Sequence, residues 1–387
     1  MHYFIKSFAI LVGVVFMSSC LSIKSSKSDD ASPDDAKPAA PLKVGLYLDK
    51  GSKGNGPFQW ARLLAYSPQV ELILLDGKAV RDGKLASIQL FLSPGGGGGT
   101  QIASLRPEGF MNVKKFVEEG GCYLGVCAGS YNAMKHAGRF GFLPYDYLQG
   151  KHGRLADLAV QINEEGAKLL GIKAEQRVVR YNGGNIMTPL EEASGSDAKV
   201  LAVFKSSVSS YGKAPHNFLD TPSLVYGHYG KGKVLASSFH PESYESTHDI
   251  ALGYINALTG VRPIPEYPQK SKHPVRVGFF TLACIGPRAT YEMLALDKEK
   301  SLDVDVFNLH EISVGSLRHY DVVIMPDGME DSYKKYLENG FYKEQFVAFL
   351  ERGGRIIASG NGAKYLPEHK NIKVIPVGED FVKHAKR

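Results

Sequence analysis

A repeat constrains this chain more than any other feature of its sequence. Pro41-Leu42-Lys43-Val44-Gly45-Leu46-Tyr47 returns as Pro274-Val275-Arg276-Val277-Gly278-Phe279-Phe280, and Gln89-Leu90-Phe91-Leu92-Ser93-Pro94 returns as Asp321-Val322-Val323-Ile324-Met325-Pro326. The helical run that ends in Gly120-Gly121 returns as one that ends in Gly353-Gly354. All three landmarks are displaced by 232 or 233 positions, which points to a duplicated structural unit. The apolar runs at 43–48, 70–75 and 88–92 are nearly continuous, as in parallel strands covered on both faces. Helical stretches such as Met111–Val117 fall between them. This alternation predicts an α/β fold, a doubly wound parallel sheet sandwiched by helices, with a second, truncated copy of the same fold.

The 387 residues are enough for two domains. Residues 42–260 form the first copy, and 261–273, with Pro263, Pro265 and Pro268, read as a linker. Residues 274–387 read as a degenerate flavodoxin-like half-repeat, ending before any counterpart of His240.

The chemistry concentrates in the first copy. Gly120 to Tyr131 reads GGCYLGVCAGSY, a short apolar strand that ends in a cysteine ringed by glycines and runs straight into a helix. Gly125-Val126-Cys127-Ala128-Gly129 has the G-x-nucleophile-x-G spacing of a nucleophile elbow. Its small neighbours let adjacent backbone pass close by. A second strand, Lys233–Ser237, delivers His240 and Glu242 within His240-Pro241-Glu242. Thiol, imidazole and carboxylate are the parts of an activated nucleophile, with Cys127 attacking, His240 as general base and acid, and Glu242 orienting the ring. The N–H of Ala128 and the glycine loop, through Gly95, Gly96 and Gly97, are the candidate oxyanion donors. The same run, Gly95–Gly99, lacks both a dinucleotide fingerprint and a Walker lysine, so no nucleotide cofactor is expected. The counterpart of Cys127 in the second copy is Gly360, so no chemistry is expected there.

Cys127 and Ala128 in their elbow, with His240-Pro241-Glu242, resemble the class I glutamine amidotransferase-like superfamily over roughly residues 42–260. Within it, the GGxYLGxCAGxY signature and the stretch Tyr181-Asn182-Gly183-Gly184 resemble the amino-terminal domain of biotin–protein ligases. The resemblance implies the Cys127–His240–Glu242 triad and a pocket beside Tyr131, Tyr181, Asn182 and Gly183; by itself, Tyr181–Gly184 reads equally well as a turn. Members that hydrolyse glutamine usually carry Gln four residues after the nucleophile, where this chain has Tyr131. No biotinyl-adenylate loop is present, so ligation of biotin is not expected. The expected activity is that of a thiol amidohydrolase or acyltransferase on a small amide or peptide-like substrate. The alternative is a binding module that uses the same pocket without catalysis.

The amino terminus reads as an export signal. His2 and Lys6 precede the apolar run 8–17, too short for the ~20 residues a spanning helix needs. Met17-Ser18-Ser19-Cys20 resembles a bacterial lipobox, which implies lipidation of Cys20 and anchoring in the cell envelope, facing the periplasm from the outer membrane; an ordinary signal peptide is the alternative. Residues 21–41, rich in Ser, Lys, Asp, Ala and Pro, read as a flexible tether. The formal charge of +6 comes without a dense basic block, so no nucleic-acid partner is expected. No cluster has metal-ligand spacing, and no metal is expected. Cys122 and Cys127 lie at opposite ends of one strand, too far apart to bridge, and Cys284 reads as a small core residue.

Overall fold

The computed structural model describes residues 40–148, 155–208, 218–282, 286–338 and 340–386. The expected signal segment, nearly all of the expected tether, Cys20 as the expected lipidation site, and Cys284 lie outside the described residues.

The first copy contributes β1 (Leu42–Tyr47), β2 (Val70–Leu75), β3 (Leu90–Ser93), β4 (Cys122–Val126), β5 (Tyr145–Tyr147) and β6 (Ala156–Ile162). It continues with β7 (Gln176–Tyr181), β8 (Met187–Pro189), β9 (Lys199–Phe204), β10 (Pro222–Tyr229) and β11 (Gly232–Ser237). Nine of these form one sheet in the order β2-β1-β3-β4-β11-β10-β9-β6-β7, while β5 and β8 pair separately. From β2 to β11 every pairing is parallel, and β4 is buried along its whole length. From β11 to β7 every pairing is antiparallel. The doubly wound half is thus extended by an antiparallel half. The strand β6 shows the expected signature of one covered face, with burial alternating along it.

Helices Gly56–Ala65 and His248–Thr259 cover one face of the sheet through Trp60, Leu63, Ile250 and Tyr254. Helices Gly77–Arg81 and Gly98–Glu118 cover the other through Val80, Val113 and Val117.

The second copy holds β12 (Val275–Phe280), β13 (Leu302–Phe307), β14 (Val322–Met325), β15 (Arg355–Ser359) and β16 (Ile372–Ile375). These form an all-parallel sheet ordered β13-β12-β14-β15-β16, the flavodoxin-like order. One expectation is corrected. In this sheet β16 stands where β11 stands in the first: Ile375 pairs with Ser359 as Ser237 pairs with Val126. The position equivalent to His240 therefore exists, three residues past the strand, and Gly378 fills it.

The two copies share a continuous core. Helix Gly56–Ala65 is buried all round, through Pro57, Phe58, Trp60, Ala61, Leu63 and Leu64, because helix Pro287–Lys298 of the second copy packs on its far side. Phe58 meets Phe279 with ring centroids 5.7 Å apart. Arg62 reaches across to Asp297 at 2.9 Å and to the Val304 carbonyl. The connecting stretch is tied to both bodies, Glu266 N–H donating to Tyr66 O (2.7 Å) and Ser271 N–H to Lys300 O (2.7 Å).

Candidate functional site

Parallel strands deliver their functional residues at their carboxyl ends, and β4 and β11 are neighbours. Cys127 follows β4 with φ 51° and ψ −101°, a left-handed conformation that few side chains adopt. Close packing imposes this bend. A Cβ on Gly129 would stand 2.0 Å from Ser93 O, and one on Gly125 2.4 Å from Gly129 O. The Cys127 N–H is fixed by Ser237 O at 2.8 Å, which ties the elbow to the strand that carries the histidine.

The structure brings Cys127, His240 and Glu242 together. His240 Nδ1 lies 2.8 Å from Glu242 Oε1, and both side chains are buried. With Nδ1 engaged, Nε2 is left for the thiol, and it makes no hydrogen bond of regular geometry among the described residues. Burial pulls the imidazole pKa down; Glu242, then Cys127, by charge and hydrogen bonding, more than offset this and raise it to about 10. The ring is thus held ready as a proton donor, between a carboxylate and a sulfur.

Gly95 and Gly56 frame this pair. A Cβ on Gly95 would stand 2.6 Å from His240 Cε1, and one on Gly56 2.6 Å from Glu242 Oε1. Gly97 is corrected. Its N–H donates to Gly51 O at 2.7 Å, which removes it from the oxyanion donors, while Gly95, Gly96 and Ala128 donate no backbone hydrogen bond among the described residues.

The second copy supplies an internal comparison. Gly360 repeats the elbow with φ 52° and ψ −129°. Asp327 stands at the register of Gly95, and its Oδ1 accepts from Asn361 N–H, the counterpart of Ala128, at 2.9 Å. Burial pushes the Asp327 carboxyl up, but the N–H groups of Asn361 and Gly328, with Arg288, leave it below the usual carboxylate range. Gly328 matches Gly96. This frame therefore gathers two backbone donors around one carboxylate. In the first copy, Gly95 brings no carboxylate of its own, and Ala128 and Gly96 are the matching donors.

The four expected pocket residues lie around the thiol. Cys127 Sγ lies 3.7 Å from Asn182 O, and Tyr131 donates to Gly183 O at 3.3 Å. Burial raises the Tyr131 phenol, which stays neutral. Tyr181 is buried between Phe204 and Phe218 and donates to Gly184 O at 2.6 Å; burial first, then the proximity of Tyr131 and Cys127, pushes its phenol up. Sequence reasoning missed Asn185. Fully buried, it takes hydrogen bonds from Ser130 of the elbow helix (2.9 Å) and from Ser238 beside the histidine (3.0 Å). Among the described residues no group of three or more His, Cys, Asp or Glu could hold a metal ion.

The family model for the biotin-protein ligase N-terminal region spans part of this site. It matches residues 78–140. That stretch holds the glycine loop and the Cys127 elbow, while His240 and Glu242 lie beyond it. A biotin–protein ligase of Schizosaccharomyces pombe is 25% identical over 225 residues, covering 49% of this chain and 32% of that protein. An uncharacterized protein of Chlamydia muridarum is 30% identical over 106 residues, covering 26% of this chain and 40% of that protein. The chain thus spans less than half the length of either relative. Among solved structures, PurLQS from Thermotoga maritima is similar at 16% identity and a TM-score of 0.43, covering 57% of this chain and all of that one. A thua-like protein from Bacteroides uniformis is similar at 16% identity and a TM-score of 0.44, covering 58% of this chain and 93% of that one.

Proposed function

We propose that residues 42–260 are a class I glutamine amidotransferase-like domain acting as a thiol amidohydrolase or acyltransferase on a small amide or peptide-like substrate. One observation carries this reading: a cysteine in a left-handed elbow shares a buried site with an imidazole whose far nitrogen is 2.8 Å from a carboxylate. Cys127 passes its proton to His240, and its sulfur attacks the substrate carbonyl to form a tetrahedral adduct that collapses to a thioester when the C–N bond breaks. The N–H groups of Ala128 and Gly96 receive the oxyanion, an interaction worth ~2.7–4 kcal/mol per donor. As the C–N bond breaks, protonated His240 gives its proton to the leaving nitrogen, and Glu242 holds the ring. Water or an acceptor amine then attacks the thioester and loses its proton to His240; as the C–S bond breaks, His240 returns that proton to the sulfur and the thiol is regenerated.

Cys127→Ser and Cys127→Ala test the proposal. Extracts of small amides and peptides, followed by mass spectrometry, should lose a component with the wild type and keep it with both variants. Equal consumption by all three proteins would overturn the proposal. A non-catalytic binding module is the second reading. It is favoured by Tyr131, partly buried at the place of the usual glutamine-recognising side chain and bonded to Gly183 O. Ligand retention by Cys127→Ala without turnover in the wild type would establish it.

The amino-terminal signature supports a lipoprotein exported and anchored in the cell envelope through Cys20. Radiolabelled palmitate should enter the wild type and not Cys20→Ala.

A further inference from the structure

The degenerate second copy turns one edge toward the catalytic pair. Thr281, Asn308 and Glu311 follow the carboxyl ends of β12 and β13, where an α/β unit of this order ordinarily builds its site. Of their counterparts in the first copy, Asp76 is a polar helix cap like Asn308, but Leu48 and Ala79 are apolar, so the combined set of three belongs to the second copy.

All three converge on Asn55. Thr281 Oγ1 donates to Asn55 Oδ1 at 2.8 Å, Asn308 Nδ2 donates to the same oxygen at 3.2 Å, and Asn55 Nδ2 donates to Glu311 Oε1 at 3.3 Å. The Asn55 side chain does not cap the helix it precedes. Glu311 is itself preorganised, because its Oε2 accepts the Asn308 N–H at 2.9 Å in a capping box. Its other oxygen also faces Arg180 at 3.7 Å, both side chains being about four-fifths buried.

Each residue gripped in this way leads by one step to the catalytic pair. Gly56, next to Asn55, lies against Glu242, and Arg180 O accepts the His240 N–H at 2.9 Å. We propose that the second copy positions the catalytic pair: Thr281, Asn308 and Glu311 hold Asn55 and Arg180, and these hold Glu242 and His240 through the backbone. This assignment rests on the triad reading above. Asn55, Arg180 and the three second-copy residues are positioning residues.

The test follows iodoacetamide alkylation of the Cys127 peptide against pH in the full chain, mapped by mass spectrometry so that the other thiols do not contribute. The titratable groups facing His240 are Cys127 and Glu242, so the profile reads this pair. Glu242→Gln should move the midpoint, and Asn55→Ala and Thr281→Val should move it in the same direction by about half a pH unit or more. Glu311→Gln keeps only one of the two acceptors used by Asn55 and the Asn308 N–H and loses the charge that faces Arg180, so it should move the midpoint in the same direction. Arg62→Ala is the control, because it breaks another bond between the copies without touching the pair. It should lower the melting temperature and leave the midpoint in place. Should Asn55→Ala not fold, Thr281→Val removes one hydroxyl at constant shape and carries the same test. Unmoved midpoints in the Asn55 and Thr281 variants, or shifts no larger than that of Arg62→Ala, would overturn the positioning role while the Glu242→Gln shift upholds the triad. Profiles unchanged in both His240→Gln and Glu242→Gln would instead bring down the triad reading.

Discussion

Cys127 sits in a backbone conformation that glycine adopts freely, and the second copy has glycine there at nearly the same φ. Left-handed strain at a non-glycine residue costs of order 1–3 kcal/mol and persists where the surroundings enforce it. Cys127→Gly should therefore be about 1 kcal/mol more stable than Cys127→Ala, the reverse of the usual order within a buried segment. Denaturant unfolding of the two variants measures this, and an alanine variant of equal or greater stability would show the elbow to be unstrained. His240 makes a second prediction. Its imidazole titrates near 6.5 when unfolded and at about 10 when folded, the raising effects of Glu242 and Cys127 exceeding the lowering effect of burial. The folded state binds this proton more tightly, so the stabilisation is complete below about pH 6.5 and is lost as pH rises through about 10. The gap in melting temperature between wild type and His240→Gln should narrow steadily across that window.

Among the elements, some were legible in the sequence and some were not, and the reason is physical. Strands β1, β3, β4, β12 and β14 are short, nearly continuous apolar runs because both faces are covered, and their repetition makes them conspicuous, whereas β13 alternates buried Val304 with exposed Asp303 and Asp305. The elbow was legible for a related reason. Its glycines are demanded by backbone contacts near 2 Å, so spacing and residue type are both constrained. Strands β6, β7 and β9 escaped notice because they are covered unevenly. The strand β7 alternates a buried Val179 with an exposed Val178, and β9 opens on an exposed Lys199. The Asn182–Gly184 turn is brought to the thiol only by this antiparallel half, which no local pattern announces. Its placement depends on Gly184, where a Cβ would fall 1.8 Å from Ser238 O. Gly184→Ala should cost about 1–3 kcal/mol and displace the turn from Cys127. Thermal unfolding should show the loss, together with faster alkylation of the less tightly covered thiol. A variant with wild-type stability and wild-type alkylation would mean that the close approach is not enforced.

At the scale of the whole molecule, duplication has produced one body from two similar sheets. Each copy lends the other its first long helix. Gly56–Ala65 is apolar on both sides because one side serves β1 and the other serves Pro287–Lys298 and Phe279. A core shared in this way cannot be half lost, since unfolding the second copy would expose Phe58 and other apolar groups to water. The charged contacts are coupled to it. Arg62 and Asp297, with side chains 15% and 6% exposed, form a pair joined by Lys270 from the connecting stretch. Removing one partner of a buried pair leaves the other without compensation, and with Lys270 still present the loss should fall near 3 kcal/mol, the lower end for such sites. Calorimetry of the folded chain should accordingly show a single cooperative transition despite the two sheets, displaced to lower temperature as one peak in Arg62→Ala. Two resolved transitions in the wild type would mean that the copies are independent domains in contact. The proposed triad would then have to keep its geometry without the second sheet.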